Sequence, residues 1–237
     1  MDVPETVTRA LADRDVTGKR CLEAGAGVGN ATAGLLDAGA EHVYAVSNDR
    51  RDAVRVRERL GDDERVTLLE ADLRAIPLPD DSMECITAHA LFNVLPNDAT
   101  TAIAEELGRV AAAGAELVVD EYDPIPPESP VRQLFAVENA AAELANARPA
   151  LTFYPVEGLR RLFAGNGWER IRERTILEPV PWTEGHLTAH VAEVRGYAQQ
   201  LPDPLGQPLI TEAERLAKTT VSRDEGRMYS VALRLSE

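Results

Sequence analysis

The sequence predicts an α/β protein built on a doubly wound, seven-stranded, mostly parallel sheet with helical cap insertions. Three observations point there: strand-length apolar runs alternate with helical patterns, the hydrophobicity of those runs is continuous instead of period-two, and Gly25, Gly27 and Gly29 follow the first run directly. Continuous apolar runs belong to strands buried on both faces, the condition of a parallel sheet with helices on either side.

The elements follow in order. "KRCLEA" leads into a helical stretch ending near Ala38, "HVYAVS" into "DRRDAVRVRERLG", and "RVTLLEA" into a short proline-punctuated segment. "MECITAHAL" precedes "NDATTAIAEELGRV", and "AELVVDEY" is the fifth strand. Asp49 and Asn97 are placed to cap helix N-termini, and Gly61 and Gly114 to stop helices. After Tyr122 the proline-rich connector "DPIPPESP" gives way to "VRQLFAVENAAAELANARP", an amphipathic pattern with Leu134, Val137, Ala141 and Leu144 on one face. "VEGLRRLFAGNGW" sets Val156, Leu159, Leu162 and Phe163 at helical spacing and ends at Gly165 and Gly167. "WERIRERTILEPV" and "GRMYSVALRL" read as the last two strands. The roughly fifty residues between them are too long for a hairpin loop and carry two helical patterns split by prolines, so they read as a helical insertion over one end of the sheet. One domain over 1–237 is expected, with cap segments 124–150 and 183–222 inside it.

Composition narrows the function. The 237 residues are 44% hydrophobic, enough for a sizeable core. The net charge is −15, from 40 acids against 25 bases, and Lys19 and Lys218 are the lysines. Such a surface fits a salt-adapted proteome, or a local adaptation against polyanionic partners; in either case it lacks the basic footprint of a nucleic-acid binder. No apolar run approaches the ~18 residues of a membrane span, and "MDVPETVTRALADRD" lacks the pattern of a signal peptide, so a cytoplasmic protein is expected. Cys21 and Cys85 sit in apolar strand-like runs, as buried free thiols would.

The stretch "CLEAGAGVGN" is a nucleotide-binding turn: a strand end, three glycines and a helix start. The dinucleotide fingerprint G-x-G-x-x-G does not fit, since its third glycine would fall at Asn30 or Thr32. Glu23, two residues before Gly25, would repel a pyrophosphate and attract an ammonium or sulfonium.

At these residues the chain resembles the class I S-adenosylmethionine-dependent methyltransferases, a Rossmann-like family whose first motif is an acid, one residue, then Gly-x-Gly-x-Gly. Here it stands as Glu23, Gly25, Ala26, Gly27, Val28 and Gly29. "EADLRAIPLPDDSMECITAHALFNVLP" is similar to the family's next block, "EELGRVAAAGAELVV" to its helix and fifth strand, with Ala113 and Ala115 for the usual proline and second glycine, and "GLRRLFAGNGWE" to the segment before its sixth strand. The resemblance implies S-adenosylmethionine as cofactor, Asp72 and Leu73 for its adenine, and the Thr87–His89 strand end beside the transferable methyl. The family's ribose-binding acid falls at Ser47, so the resemblance leaves the ribose to Ser47 or Asn48 through neutral hydrogen bonds, with Asp49 as rival. Methyl transfer to a small-molecule acceptor is the implied function. The alternatives are a nucleic-acid or protein methyltransferase and a non-catalytic relative, and a nicotinamide-dependent dehydrogenase is disfavoured. The family's Asn/Asp-Pro-Pro-aromatic element is replaced by "AHAL", which argues against amide or adenine nitrogen as acceptor.

The catalytic residue is not legible. His89, at the fourth strand's end, is the candidate general base, or it shapes the site through a local hydrogen bond. His186 and His190 share a helix face at zinc-like spacing, yet no third ligand is evident, and a solvated face or substrate pocket is expected instead of a metal. The "DEYD" run, Asp120–Asp123, reads as a substrate-holding edge or, preferably, a solvated turn. Trp182, Phe135 and Phe153 are pocket candidates or plain core.

Overall fold

The structure, a computed structural model, describes residues 2–60, 63–220 and 223–236. Its strands are β1 (Arg20–Ala24), β2 (His42–Ser47), β3 (Val66–Glu70), β4 (Met83–His89), β5 (Ala111–Tyr122), β6 (Trp168–Leu177), the short pair β7 (Pro181–Trp182) and β8 (Arg223–Asp224), and β9 (Met228–Leu235). The helices are α1 (Glu5–Leu11), α2 (Asn30–Asp37), α3 (Arg50–Leu60), α4 (Thr100–Val110), α5 (Pro130–Asn146), α6 (Val156–Ala164), α7 (Glu184–Ala198) and α8 (Asp203–Thr220). Seven strands form one sheet in the order β3-β2-β1-β4-β5-β9-β6. The first five are mutually parallel and β9 is antiparallel to both its neighbours. This is the doubly wound, mostly parallel architecture the apolar runs predict.

Burial on both faces explains why those runs are continuous. Along β1 and β4, Cys21 and Cys85 face a core cluster with Leu35 and Val7, while Leu22 and Ile86 face the opposite cluster with Leu107 and Phe163. Each face thus claims alternate residues, and both claims are apolar. Cys21 and Cys85 are register partners, buried and free. The neighbouring Cys85 thiol, then burial, holds the Cys21 thiol far above its ordinary range.

A further cluster joins α5, α7 and α8 through Leu134, Phe135, Leu187, Val194 and Leu216, with Ala90 and Tyr122 packed against it. Those two residues follow β4 and end β5, so the inserted helices lie over the C-terminal ends of the central strands, as the spacing predicts.

Three local expectations change. Gly114 does not stop a helix: α4 ends at Val110, the chain passes straight into β5, and Gly114 stands there with φ of 74° where the β4–β5 register shifts. A bulge requires the left-handed backbone that glycine supplies. Asn97 precedes the cap residue Ala99 and sits in the turn before α4, where its Oδ1 accepts from the Tyr154 hydroxyl at 2.9 Å. Leu144 is 57% exposed, on the last turn of α5, while Leu134 and Ala141 are buried. Gly61, expected to end α3, and the last two residues of segment 183–222 lie outside the described residues. Asp49 does cap α3, accepting from the Arg51 amide at 2.8 Å. Among the described residues no helix is long and apolar enough to cross a membrane.

Candidate active site

The sheet reverses its winding between β1 and β4: from β1 the order runs outward through β2 and β3, and from β4 the other way through β5. In open α/β sheets the crevice at the strands' carboxyl ends is the ligand site there. The glycine turn leaves β1 at this point. Gly25, Gly27 and Gly29 have φ of 74°, 52° and 74°, a region costly to any residue with a Cβ. A Cβ on Gly25 would also stand 2.5 Å from Leu91 Cδ1. The Gly25 and Ala26 amides both donate to the Val46 carbonyl at 2.9 Å, tying the turn to the end of β2.

Glu23 has a task that the sequence does not announce. Its carboxylate accepts from the Ala31 amide at 3.1 Å, the Thr32 amide at 2.8 Å and the Thr32 hydroxyl. These amides belong to the first turn of α2, so an acid from β1 occupies the helix end that a phosphate would otherwise take. Burial pushes the Glu23 carboxyl up to about 7, against the Thr32 and Ala31 hydrogen bonds and the nearby His89, which favour the charged form. Glu23 thus holds amides at the start of α2 that an anionic ligand could otherwise take.

At the end of β2, the Ser47 hydroxyl donates to Asp52 Oδ2 at 2.8 Å and accepts from the Asp49 amide at 3.1 Å. Asp49 is committed elsewhere, to the Arg51 amide and guanidinium, and those bonds hold its carboxyl down at about 2. The acid beside Ser47 is thus Asp52, in the first turn of α3, with its side chain 18% exposed. Sequence reasoning missed it because it looked one and two residues past the strand; a helix brings residue i+5 back over the strand end. Asn48 is exposed.

Beyond β3, Leu73 is buried and Asp72 is exposed. The Asp72 carboxylate accepts from the Arg74 amide at 2.9 Å and from its guanidinium at 2.6 Å, and Arg74 holds the carboxyl at about 2. It is fixed as an anion facing solvent.

Opposite, His89 Nδ1 lies 3.1 Å from Asp120 Oδ2 across the β4–β5 register. Asp120 is 4% exposed at its side chain, and its Oδ1 is buried with no hydrogen-bond partner among the described residues. Glu121 is buried as well and accepts from the Phe92 amide; with the Asn93 side-chain amide turned so that both of its atoms find partners, its nitrogen donates to Glu121 at 3.2 Å and to the Ala90 carbonyl at 2.9 Å. Burial, helped by the Asp120 charge, pushes the Glu121 carboxyl up to about 8, against the backbone donors around it. The "DEYD" run is therefore no solvated turn: Asp120 and Glu121 are interior, and Asp123 pairs with Arg227 at 2.7 Å.

The cap supplies the rest. Trp182 and Phe135 are buried, their rings 5.3 Å apart, and Phe135 stacks on Phe153 at 5.3 Å and 19°. His190 Nδ1 lies 2.7 Å from Glu138 Oε2, and that carboxylate is 4% exposed. His186 is exposed and points Nδ1 at the Pro181 carbonyl, 3.2 Å away. The two histidines do not converge, and among the described residues no group of three or more His, Cys, Asp or Glu could hold a metal. Glu138 was hidden in the sequence on an alanine-rich helix, with nothing to mark it as facing inward.

Residues 21–114 match the family described as a methyltransferase domain. A demethylmenaquinone methyltransferase of Clavibacter sepedonicus is 36% identical over 123 residues, which is 50% of this chain and 47% of that protein. The chain thus spans about half the length of that curated relative. A structure from Bacillus halodurans C-125, described as a methyltransferase, superposes with a TM-score of 0.65 at 12% identity, covering 98% of this chain and 99% of the other. A mycolic acid cyclopropane synthase solved with SAH gives 0.63 at 12% identity, over 96% and 82%. Segment 21–114 thus resembles the methyltransferase domain family, and the fold around it is that of the class I methyltransferases.

Proposed function

We propose that the chain is an S-adenosylmethionine-dependent methyltransferase acting on a small-molecule acceptor. The observation that carries this is Glu23 seated on the α2 amides: a glycine turn at the switch point that has filled its own anion site suits a cationic nucleoside in place of a pyrophosphate. In this reading Gly25, Ala26, Gly27 and Gly29 admit the cofactor, Asp72 and Leu73 receive the adenine, and Ser47, Asn48 and Asp52 serve the ribose. Bound S-adenosylmethionine supplies a methyl on a sulfonium, an already activated donor.

The protein's part is then alignment and proton management. His89, oriented by Asp120, is positioned to take a proton from an acceptor at the β4 end. The helices of segments 124–150 and 183–222 close that end against water, within one functional unit. The net charge of −15 favours a small acceptor over nucleic acid, and a cytoplasmic setting agrees with it.

Thermal denaturation tests the class. A ligand held a hundredfold above its dissociation constant adds about 2.7 kcal/mol to stability. S-adenosylmethionine should raise the midpoint and NAD should not; a shift with NAD alone would refute the proposal.

A further inference from the structure

Two cavities lie under the cap. One, about 150 Å³, has Tyr122, Phe135, Phe153 and Trp182 among its apolar walls, and Asn93, His186 and His190 as its polar ones. The second, about 430 Å³, shares Phe135, Leu151 and Phe153 with the first. Tyr122 ends β5 and Asn93 follows β4, so the smaller cavity adjoins the strand ends where the methyl donor is proposed to sit.

The chemistry of that cavity is specific. A cavity of roughly 150 Å³ with apolar walls is the size that accepts one benzene ring. Its wall is an aromatic array: Phe135 meets Phe153 at 5.3 Å, Trp182 at 5.3 Å and the His190 ring at 4.5 Å, and Tyr122 meets Trp182 at 5.6 Å. Flat aromatic ligands stack and pack edge-on against such walls. Within this apolar setting, His190 is tied by its Nδ1 to buried Glu138, and Nε2 has no partner among the described residues. A carboxylate that accepts from Nδ1–H fixes the tautomer in which Nε2 carries the lone pair. An ammonium ligand could stack on these rings by cation–π contact, but it would find no counter-charge, because Glu138 is spent on His190.

We infer that the smaller cavity binds a hydroxylated aromatic ring, with His190 Nε2 accepting the proton of its ring hydroxyl and the larger cavity receiving the ring's substituent. The step is a proton transfer: the O–H bond breaks, its electron pair stays on oxygen as the phenolate, and the proton forms the Nε2–H of an imidazolium whose Nδ1–H stays on Glu138. In this assignment His190 takes the acceptor's proton in place of His89, which then shapes the β4 end through its bond to Asp120, and Glu138 is the positioning residue of His190. The inference rests on the proposed methyltransferase function and names the acceptor class for it.

The test uses the full chain and 4-nitrophenol, whose ionised form has its own visible band, at a pH where the free probe is mostly neutral. Wild type should bind it saturably with growth of the phenolate band, and tetramethylammonium should not displace it. His190→Gln keeps a donor for Glu138 and should lower the ionised fraction of bound probe about tenfold, the factor of one hydrogen bond to a charged group. Glu138→Gln should lower it too, while both variants hold 4-nitroanisole, which has no proton to lose, as wild type does. His186→Gln should keep the band. Loss of the band in His186→Gln but not in His190→Gln, no saturable binding, or binding of tetramethylammonium alone would each overturn the inference. Should His190→Gln not fold, Glu138→Gln and His186→Gln still decide it. A parallel titration with S-adenosylmethionine separates the two claims: cofactor binding without the phenol sinks only the acceptor assignment, and phenol binding without the cofactor sinks only the methyltransferase reading.

Discussion

The Ser47 hydroxyl donates to Asp52 Oδ2 at 2.8 Å, which places a carboxylate beside the end of β2 although the strand itself closes on a serine. The family's acid is missing from the strand but not from the neighbourhood. Asp52→Asn is therefore expected to weaken S-adenosylmethionine binding by about 1–3 kcal/mol, the range for a hydrogen bond involving a charge. Ser47→Asp, which the strand alone suggests would restore a lost contact, should instead crowd Asp52 and weaken binding by on the order of 1 kcal/mol. Calorimetry on both variants checks this; tighter binding by Ser47→Asp would show that Asp52 does not serve the ribose.

Asp72 presents an anion to solvent, steadied by Arg74. Asp72→Ala should reduce cofactor affinity by about 1–3 kcal/mol and leave the melting temperature nearly unchanged, because the side chain is exposed. Unchanged affinity in the variant would move the adenine elsewhere.

Gly25 combines φ of 74° with a Leu91 methyl where a Cβ would go. Gly25→Ala should destabilise the fold by about 1–2 kcal/mol from the backbone alone and displace the turn from the ligand. Gly114 shares the φ but has open space around it, so Gly114→Ala should show the stability loss without the loss of cofactor affinity. Equal affinity loss in both would mean the turn itself is not at the cofactor.

Glu121 carries a pH signature. Its folded pKa, about 8, lies above its ordinary 4.5, so its contribution to stability is fully present below pH 4.5 and is lost as pH rises through about 8. Glu121→Gln has no proton to lose, and Asn93 can rotate its amide to suit it. The variant should gain on wild type between about pH 5 and about pH 9 by on the order of 4 kcal/mol. A stability difference that is flat with pH in chemical denaturation would contradict the buried, neutral carboxyl.

The sheet was legible because Cys21 and Leu22, or Cys85 and Ile86, serve opposite faces and must both be apolar. The turn was legible because three left-handed positions at alternate residues admit little but glycine. What escaped was whatever depends on a helix folding back. Asp52 reaches Ser47 only once α3 has made its first turn, and Glu138 meets His190 across 52 positions of sequence. Glu23 was read as a charge awaiting a cation, whereas its hydrogen bonds go first to α2. Burial of Asp120 and Glu121 ran against composition, since four polar residues at a strand end ordinarily face water.

The central claim, that the turn from Glu23 to Gly29 admits S-adenosylmethionine and excludes a pyrophosphate, is tested most directly by isothermal titration of the purified chain. The account predicts saturable binding of S-adenosylmethionine at one site per chain, competition by S-adenosylhomocysteine, and no heat from NAD. Saturable binding of NAD, with none of S-adenosylmethionine, would contradict it.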